Sequence, residues 1–499
     1  MPKPKPFSKQ PKVRPKNEKK LDKADEFQSA GVDFEDAAGK HRAGDAVKSM
    51  RFFQRAVDVY DQGLQKFPQN FDLAYNKARV QLEISTHPIL VGQLRRPLRD
   101  VLGDALTSHR YALQLDPYNA DALFNTSQVL TAIAELMASE EDETFQAETE
   151  ALKVLREALD LQSKCLDVQE RRYQEFLDQE RATDDQEDVN GQNTAAINLG
   201  DDSTVGDTEG DGEWFNVVEP VTRDTLLDTL LAQLGTLTTL CSILSSSPEA
   251  APENTLLWAE ELSTRLLEKV RIVSHDQSER SQEIALARGN LVSAMMEAGY
   301  RSGKIDVDTY KRERDAAFAA TDLQLEKFLD GLIANARSLL AFNSALIESD
   351  NGDAQSQSTL RWNVLTASIT NLKSASTEQG ISQEDLATTH LLRGDASLFL
   401  CSMAFPPTSH QTAVNTAPQN SKNAEVYYRN ASRLARDPEE RDVLAMKSAV
   451  AQHMQAYSQG QAQSDVSKIL NASPRGQEWA INQLEDMVAE NLVPQALFS

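Results

Sequence analysis

A short pattern of small and aromatic residues recurs along this chain and constrains its fold more than any other feature. The first copy consists of Ala56, Tyr60, Gly63 and Pro68, at intervals of four, three and five residues. The second copy has the same intervals: Ala105, His109, Ala112 and Pro117. Weaker copies begin at Ala151 and Ala424. Small residues at helical spacing let a second helix approach closely, and proline ends a helix, so the pattern predicts paired helices.

The composition favours an all-α protein with a large core. The 499 residues are 40% hydrophobic but only 6% aromatic. The three cysteines are far apart in the sequence, which disfavours a disulfide scaffold or a cysteine-based zinc module. The most apolar stretch, residues 229–244, is too short and too rich in threonine for a membrane span. No signal peptide is recognisable, and we expect a soluble protein inside the cell.

Charge divides the chain into segments. Residues 1–23 contain nine basic and two acidic residues, so the remainder of a chain with net charge −25 carries −32. Twelve acidic residues and one basic residue fall between Asp178 and Glu213, without apolar periodicity. We therefore predict a disordered Lys/Pro-rich basic tail (1–26), repeats (27–177), an acidic disordered loop (178–213), divergent helical repeats (214–472) and a C-terminal capping helix (473–499).

Amphipathic periodicity predicts further paired helices after the acidic loop. The expected ranges are 222–244 with 254–272, 283–300 with 306–329, 333–348 with 360–372, 386–403 with 424–435, and a last helix at 479–492. Three patches rich in Pro, Ser or Gln are expected to connect helices: 245–254, 350–358 and 406–421.

Enzyme signatures are missing from the sequence. It contains no GxxxxGK[ST], GxGxxG, HExxH or GxSxG motif, and no two of its seven histidines are four residues apart. The acidic run 140–143 is typical of a solvated helix face rather than a metal site. We therefore expect a binding protein without catalytic residues, cofactor or metal.

The repeated pattern resembles the tetratricopeptide repeat, a helical hairpin of about 34 residues that stacks into a right-handed superhelix. In that family the first helix of each hairpin lines a concave groove. With Gly44 as the small residue of the first hairpin, and the prolines as the other anchors, the groove is expected to hold Asp45, Asp72, Tyr75, Asn76, Asp121, Phe124 and Asn125. The family's known grip on acidic chaperone tails needs basic side chains, and Asp45 and Asp121 have the wrong sign. A cationic protein partner fits better, and the net acidity disfavours nucleic acid.

A closer resemblance suggests which partner. The string WFNVVEPVT at 214–222, followed by LLDT at 226–229, is similar to the fungal tetratricopeptide-repeat chaperones of large-subunit ribosomal protein L-four. The resemblance implies a chaperone that binds this basic ribosomal protein, protects it and delivers it to nuclear pre-ribosomes, in both nucleus and cytoplasm. The basic tail could then bind an import receptor, and no membrane is involved. The alternative is a repeat scaffold or co-chaperone that links other protein partners.

Overall fold

The computed structural model describes residues 21–139, 145–190, 220–348 (apart from 251, 253, 276 and 277), 357–460, and 469–495 (apart from 472 and 474). Within these ranges all regular structure is helical, which confirms the all-α prediction. Residues 1–20 of the predicted basic tail and 191–213 of the predicted acidic loop lie outside the described residues.

The helices follow one another through short connections. They are α1 (Ala24–Arg42), α2 (Ala46–Lys66), α3 (Phe71–Thr86), α4 (Pro88–Val91), α5 (Leu98–Leu115), α6 (Ala120–Ser139), α7 (Phe145–Asn190), α8 (Arg223–Ser246), α9 (Thr255–Val273), α10 (Ser281–Arg301), α11 (Val307–Phe318), α12 (Leu329–Glu348), α13 (Ser358–Ala375), α14 (Gln383–Ser402), α15 (Gln411–Leu434), α16 (Pro438–Ser458) and α17 (Gln477–Ala489). Single turns of 3₁₀ helix lie at 248–250, 278–280 and 325–327.

The chain forms two compact units. Among the described residues, unit 1 comprises those of 21–136 and 160–168, and unit 2 comprises those of 137–159 and 169–495. In each unit, helices adjacent in sequence pack together as pairs, with α1 on α2 in unit 1 and α14 on α15 in unit 2.

In unit 1 the first helical pair is held by glycines that leave room for large side chains. A Cβ on Gly31 of α1 would lie 2.3 Å from the ring of Tyr60, which is fully buried in α2. A Cβ on Gly63 would lie 2.9 Å from both Phe27 and Leu73. Ala56 is also fully buried. The small residues of the first sequence copy therefore do allow close helix packing. However, the glycine opposite Tyr60 is Gly31 rather than Gly44.

Unit 2 repeats the same contact. A Cβ on Gly394 of α14 would lie 2.4 Å from the ring of Tyr428 in α15. Tyr428 belongs to the fourth sequence copy, and its neighbours in that copy, Ala424 and Ala431, are fully buried. The core here continues through α16 and α17 to the C-terminal segment, where Leu492 and Val493 are buried.

Several predicted boundaries are wrong. The segment 406–421, predicted to connect helices, contains the start of α15 at Gln411, with Pro418 inside the helix. The helix predicted over 306–329 ends at Phe318, because the following turn folds back and Asp322 accepts two hydrogen bonds of 3.0 Å from Arg288 of α10. Helix α16 was not predicted.

The long helix α7 also changes the predicted start of the acidic loop. It continues to Asn190, so the first residues of the segment 178–213 are helical rather than loop. At the N-terminus, α1 begins at Ala24, inside the segment predicted as tail. The other domain boundaries stay predictions.

One described helix, α8, is long and apolar enough to cross a membrane by length and composition alone. Its most apolar window is 61% buried inside the protein. Leu227, Leu230 and Leu234 are fully buried in it. This burial is typical of a core helix, as expected for residues 229–244.

Candidate partner-binding face

The first helices of three successive pairs in unit 1, α1, α3 and α6, carry matching residues. Each has an aspartate in its first turn, and six residues later a small buried residue. The aspartates are Asp25, Asp72 and Asp121, and the small residues are Gly31, Ala78 and Ser127. This register defines equivalent positions on the three helices directly from the structure.

Asp45 does not belong to this register. It lies at the N-cap of α2, where its Oδ1 accepts a hydrogen bond from the backbone N–H of Lys48 at 2.9 Å. A Cβ on the neighbouring Gly44 would meet nothing within 4 Å. The placement of Asp45 in the groove was wrong, because the first pair is longer than a 34-residue repeat and Gly44 lies in its turn. The equivalent position is occupied by Asp25, which the sequence analysis missed.

Tyr75 connects α3 to α6. Its hydroxyl accepts a hydrogen bond of 3.0 Å from the side-chain amide of Asn125, and its ring stacks on Phe71 at a centroid distance of 5.7 Å. Burial, together with the nearby charge of Asp121, raises the pKa of Tyr75 to about 12. The predicted site residues Tyr75, Asn125 and Asp121 therefore lie close together.

The remaining predicted residues lie on the same two helices with different surroundings. Asn76 and Asn125 occupy equivalent positions, each four residues after its aspartate. Phe124 is half-buried and packs against the apolar cluster of Ala120, Leu123, Cys165 and Val168. Phe124 therefore contributes mainly to the core of unit 1, whereas Tyr75 contacts Asn125 on this surface.

The three aspartates form a row without counter-ions. The pKa of Asp72 is raised, first by partial burial and then by the charge of Asp25. No side chain in the described part of the chain forms an ion pair with Asp25, Asp72 or Asp121, and Asp25 and Asp121 are exposed. We call the surface that carries these aspartates together with Tyr75 and Asn125 the acidic face.

Two carboxylates farther along the same helices are neutralised. Glu35 of α1 accepts hydrogen bonds from Tyr60 and Arg79, and Glu83 of α3 pairs with Arg42 at 2.5 Å. These two carboxylates therefore carry no uncompensated charge, whereas the three first-turn aspartates do. Such a surface attracts cationic side chains.

Within the described residues, no group of three or more His, Cys, Asp or Glu side chains could hold a metal ion. A cavity of about 910 Å³ in unit 2 lies between the end of α8, the start of α9 and the end of α10. Its charged lining residues are Glu249, Arg301 and Lys304. Arg301 is already paired with Glu297 and Glu348.

This chain is similar to known proteins over part of its length or at low identity. No family model matches the chain. Over 155 residues the chain is 28% identical to the UPF0656 protein C926.02 of Schizosaccharomyces pombe. The match covers 31% of this chain and 34% of that protein, so the chain spans about a third of the length of this curated relative.

Two solved structures are similar to most of the chain at low TM-score. The nuclear import adaptor Nro1 of S. pombe is 11% identical, with 85% of this chain and 99% of that chain covered, at a TM-score of 0.32. A circular tandem repeat protein is 13% identical, with 94% and 98% covered, at a TM-score of 0.30. At these values neither structure assigns a function.

Proposed function

We propose that this helical-repeat protein is a ribosome-biogenesis chaperone that binds a newly made basic ribosomal protein, L-four of the large subunit. The observation that carries the proposal is the acidic face. Its three aspartates lack counter-ions among the described residues, and the chain outside residues 1–23 has a net charge of −32. The identity of the ribosomal protein rests on the resemblance of residues 214–229 to the fungal chaperones of L-four.

Such a partner suits the chemistry of the acidic face. A Lys/Arg-rich segment of a ribosomal protein does not fold without RNA and adheres to polyanions. Exposed ion pairs contribute only about 0–1 kcal/mol each, so the acidic face holds the segment through several weak contacts. Ribosomal RNA has a denser array of charge and takes the segment over without ATP. We propose no catalytic activity and no cofactor.

The same proposal places the protein in both nucleus and cytoplasm. A chaperone that receives its guest at the site of synthesis and releases it on pre-ribosomes has to cross between the two. The basic residues of the N-terminal tail are of the kind that import receptors recognise. The protein itself binds neither nucleic acid nor membrane in this scheme, because its acidic surface repels phosphate groups.

A calorimetric titration tests the proposal. The full chain is titrated with the isolated basic internal loop of ribosomal protein L-four at low and at high salt. We expect one-to-one binding that weakens at least tenfold as salt is raised. The triple variant D25N/D72N/D121N is expected to bind about ten- to 150-fold more weakly at low salt, because it loses three ion pairs of about 0.5–1 kcal/mol each.

The matched control is the triple variant D58N/D100N/D160N. It removes the same charge from exposed positions on the second helices α2, α5 and α7. We expect it to bind like the wild type. If both triple variants bind equally well, the acidic face is not the binding surface. Absence of binding to the loop at low salt would contradict the chaperone function and favour a scaffold for other partners.

A further inference from the structure

The point at which the N-terminal tail leaves unit 1 is fixed by hydrogen bonds. The Nζ of Lys66, at the end of α2, donates to the carbonyl of Leu21 at 2.6 Å. The carboxylate of Glu26 accepts from the backbone N–H groups of Asp22 and Lys23 at 2.8 and 3.3 Å. The tail therefore joins unit 1 at the N-terminal end of α1.

The acidic row lies at this same end of the unit. Glu35 pairs with Arg79, and Arg42 farther along α1 pairs with Glu83 farther along α3, so the two helices run in the same direction. Tyr75 is near both Asn125 and Asp121 in the first turns of α6, which extends this arrangement to the third helix. The first-turn aspartates of the three helices thus follow one another from the exit of the tail.

The tail complements this row in charge and in reach. Residues 1–20 contain eight basic residues and one acidic residue. The basic residues are Lys3, Lys5, Lys9, Lys12, Arg14, Lys16, Lys19 and Lys20. Twenty extended residues reach about 60 Å, whereas three packed helices span about 20 Å between the outer axes. Five prolines at positions 2, 4, 6, 11 and 15 favour an extended backbone.

We propose that the basic tail, residues 1–20, binds in cis to the acidic face and competes there with the basic guest. The identity of the guest in this inference rests on the proposed function. Docking of the tail can be measured without a guest. A tethered segment has an effective concentration in the millimolar range, so even weak ion pairs keep it bound. Guest binding then displaces the tail and exposes its basic residues to other proteins.

The competition is tested by neutralising the tail in the full chain. In one variant the eight basic residues become Gln, and in the matched control the seven lysines become Arg, which keeps the charge. We expect the Gln variant to bind the basic loop of L-four about tenfold more tightly than the wild type at low salt, since the intramolecular competitor is lost. The Arg control is expected to bind like the wild type.

The acidic-face variant completes the comparison. In D25N/D72N/D121N, neutralising the tail is expected to leave the affinity for the loop unchanged, because the tail has lost its own binding surface. Equal affinity of the wild type and the Gln-tail variant would overturn the inference and leave the proposed chaperone function intact.

A distance measurement tests tail docking without any guest. The native cysteines Cys165, Cys241 and Cys401 are buried, so introduced surface cysteines can be spin-labelled selectively. The pair S8C and Y118C places one label in the tail and one at an exposed turn just before α6. We expect a short, narrow distance distribution at low salt that becomes long and broad at high salt or in D25N/D72N/D121N. It should not depend on protein concentration.

The two measurements separate the possible failures. A distance distribution that does not respond to salt or to D25N/D72N/D121N would overturn tail docking, whatever the guest does. A distribution that shortens only as protein concentration rises would mean that the tail binds a second copy, which also contradicts the inference. Normal tail docking without any binding of the loop would instead contradict the proposed function alone.

Discussion

At the scale of single residues, His109 shows how the second sequence copy differs from the first. It occupies the position of Tyr60 in the repeated pattern, and both side chains are fully buried. The hydroxyl of Tyr60 donates a hydrogen bond to Glu35. Burial of His109 in α5 lowers its pKa to about 4, although the backbone of Ala78 partly offsets this shift. The imidazole is therefore neutral in the folded protein at neutral pH.

This neutral imidazole makes stability depend on pH. Between pH 6.5 and 4 the unfolded chain binds a proton at His109 that the folded chain excludes, so the free energy of unfolding falls as the pH is lowered. The loss approaches about 3 kcal/mol below pH 4. Urea unfolding of the wild type and of His109→Gln at several pH values checks this. The variant should lose this part of the dependence, and parallel curves for the two proteins would contradict the prediction.

At the scale of helices, much of the architecture could be predicted from periodicity, whereas registers and boundaries could not. Close packing around Tyr60 and Tyr428 follows from small residues at helical spacing, but their glycine partners, Gly31 and Gly394, lie on helices of variable length. A fixed repeat of 34 residues therefore selected Gly44 and, with it, Asp45. Better signals were the first-turn aspartate and the small residue six positions later, which recur on α1, α3 and α6.

The start of α15 was predicted too late because Pro418 lies in a segment that the sequence predicts to connect helices. Pro418 lies inside this helix, and it cannot donate the hydrogen bond that the carbonyl of Val414 would accept. Val414 is 46% exposed, so water can reach this turn of the helix. A proline on a wet helix face is thus tolerated where a buried one would break the helix. Sequence alone did not reveal which face Pro418 occupies.

Substitutions of Asp45 distinguish its role as the N-cap of α2 from the predicted role as a partner-binding residue. Asn is as good an N-cap as Asp, whereas Ala is not. We expect Asp45→Ala to lower the free energy of unfolding by about 1 kcal/mol and Asp45→Asn to leave it nearly unchanged, as measured by urea denaturation. Binding of the basic loop should weaken less in Asp45→Asn than in Asp72→Asn. If Asp45→Asn reduced affinity as much as Asp72→Asn did, the structural register of the acidic face would be wrong.

At the scale of the whole molecule, both units contain the same internal arrangement of side chains. In each, a buried tyrosine packs on a glycine, and its hydroxyl donates to a carboxylate that also pairs with a cation from the next first helix. The sets are Gly31, Tyr60, Glu35 and Arg79 in unit 1, and Gly394, Tyr428, Asp395 and Lys447 in unit 2. Burial raises the pKa of both tyrosines well above the usual value, so each stays protonated and keeps donating.

Because each unit has its own copy of this arrangement, a substitution that disrupts one copy should destabilise mainly the helices around it. Gly31→Ala and Gly394→Ala each place a methyl group against a buried tyrosine ring, an overpacking that costs about 1–3 kcal/mol. We expect Gly31→Ala to accelerate amide hydrogen exchange about tenfold or more in α1, α2 and α3, and Gly394→Ala to do so in α14, α15 and α16.

The controls for these variants are Gly103→Ala in unit 1 and Gly235→Ala in unit 2. Both glycines are exposed inside helices, and an added Cβ meets nothing within 4 Å. Since alanine is the better helix former by about 1 kcal/mol, exchange should slow or stay unchanged in these two variants. Equal acceleration in both units by either packing variant would show that the whole chain unfolds as one cooperative body. Acceleration confined to the altered unit would mean that unit 1, with its acidic face, retains its stability when unit 2 is loosened.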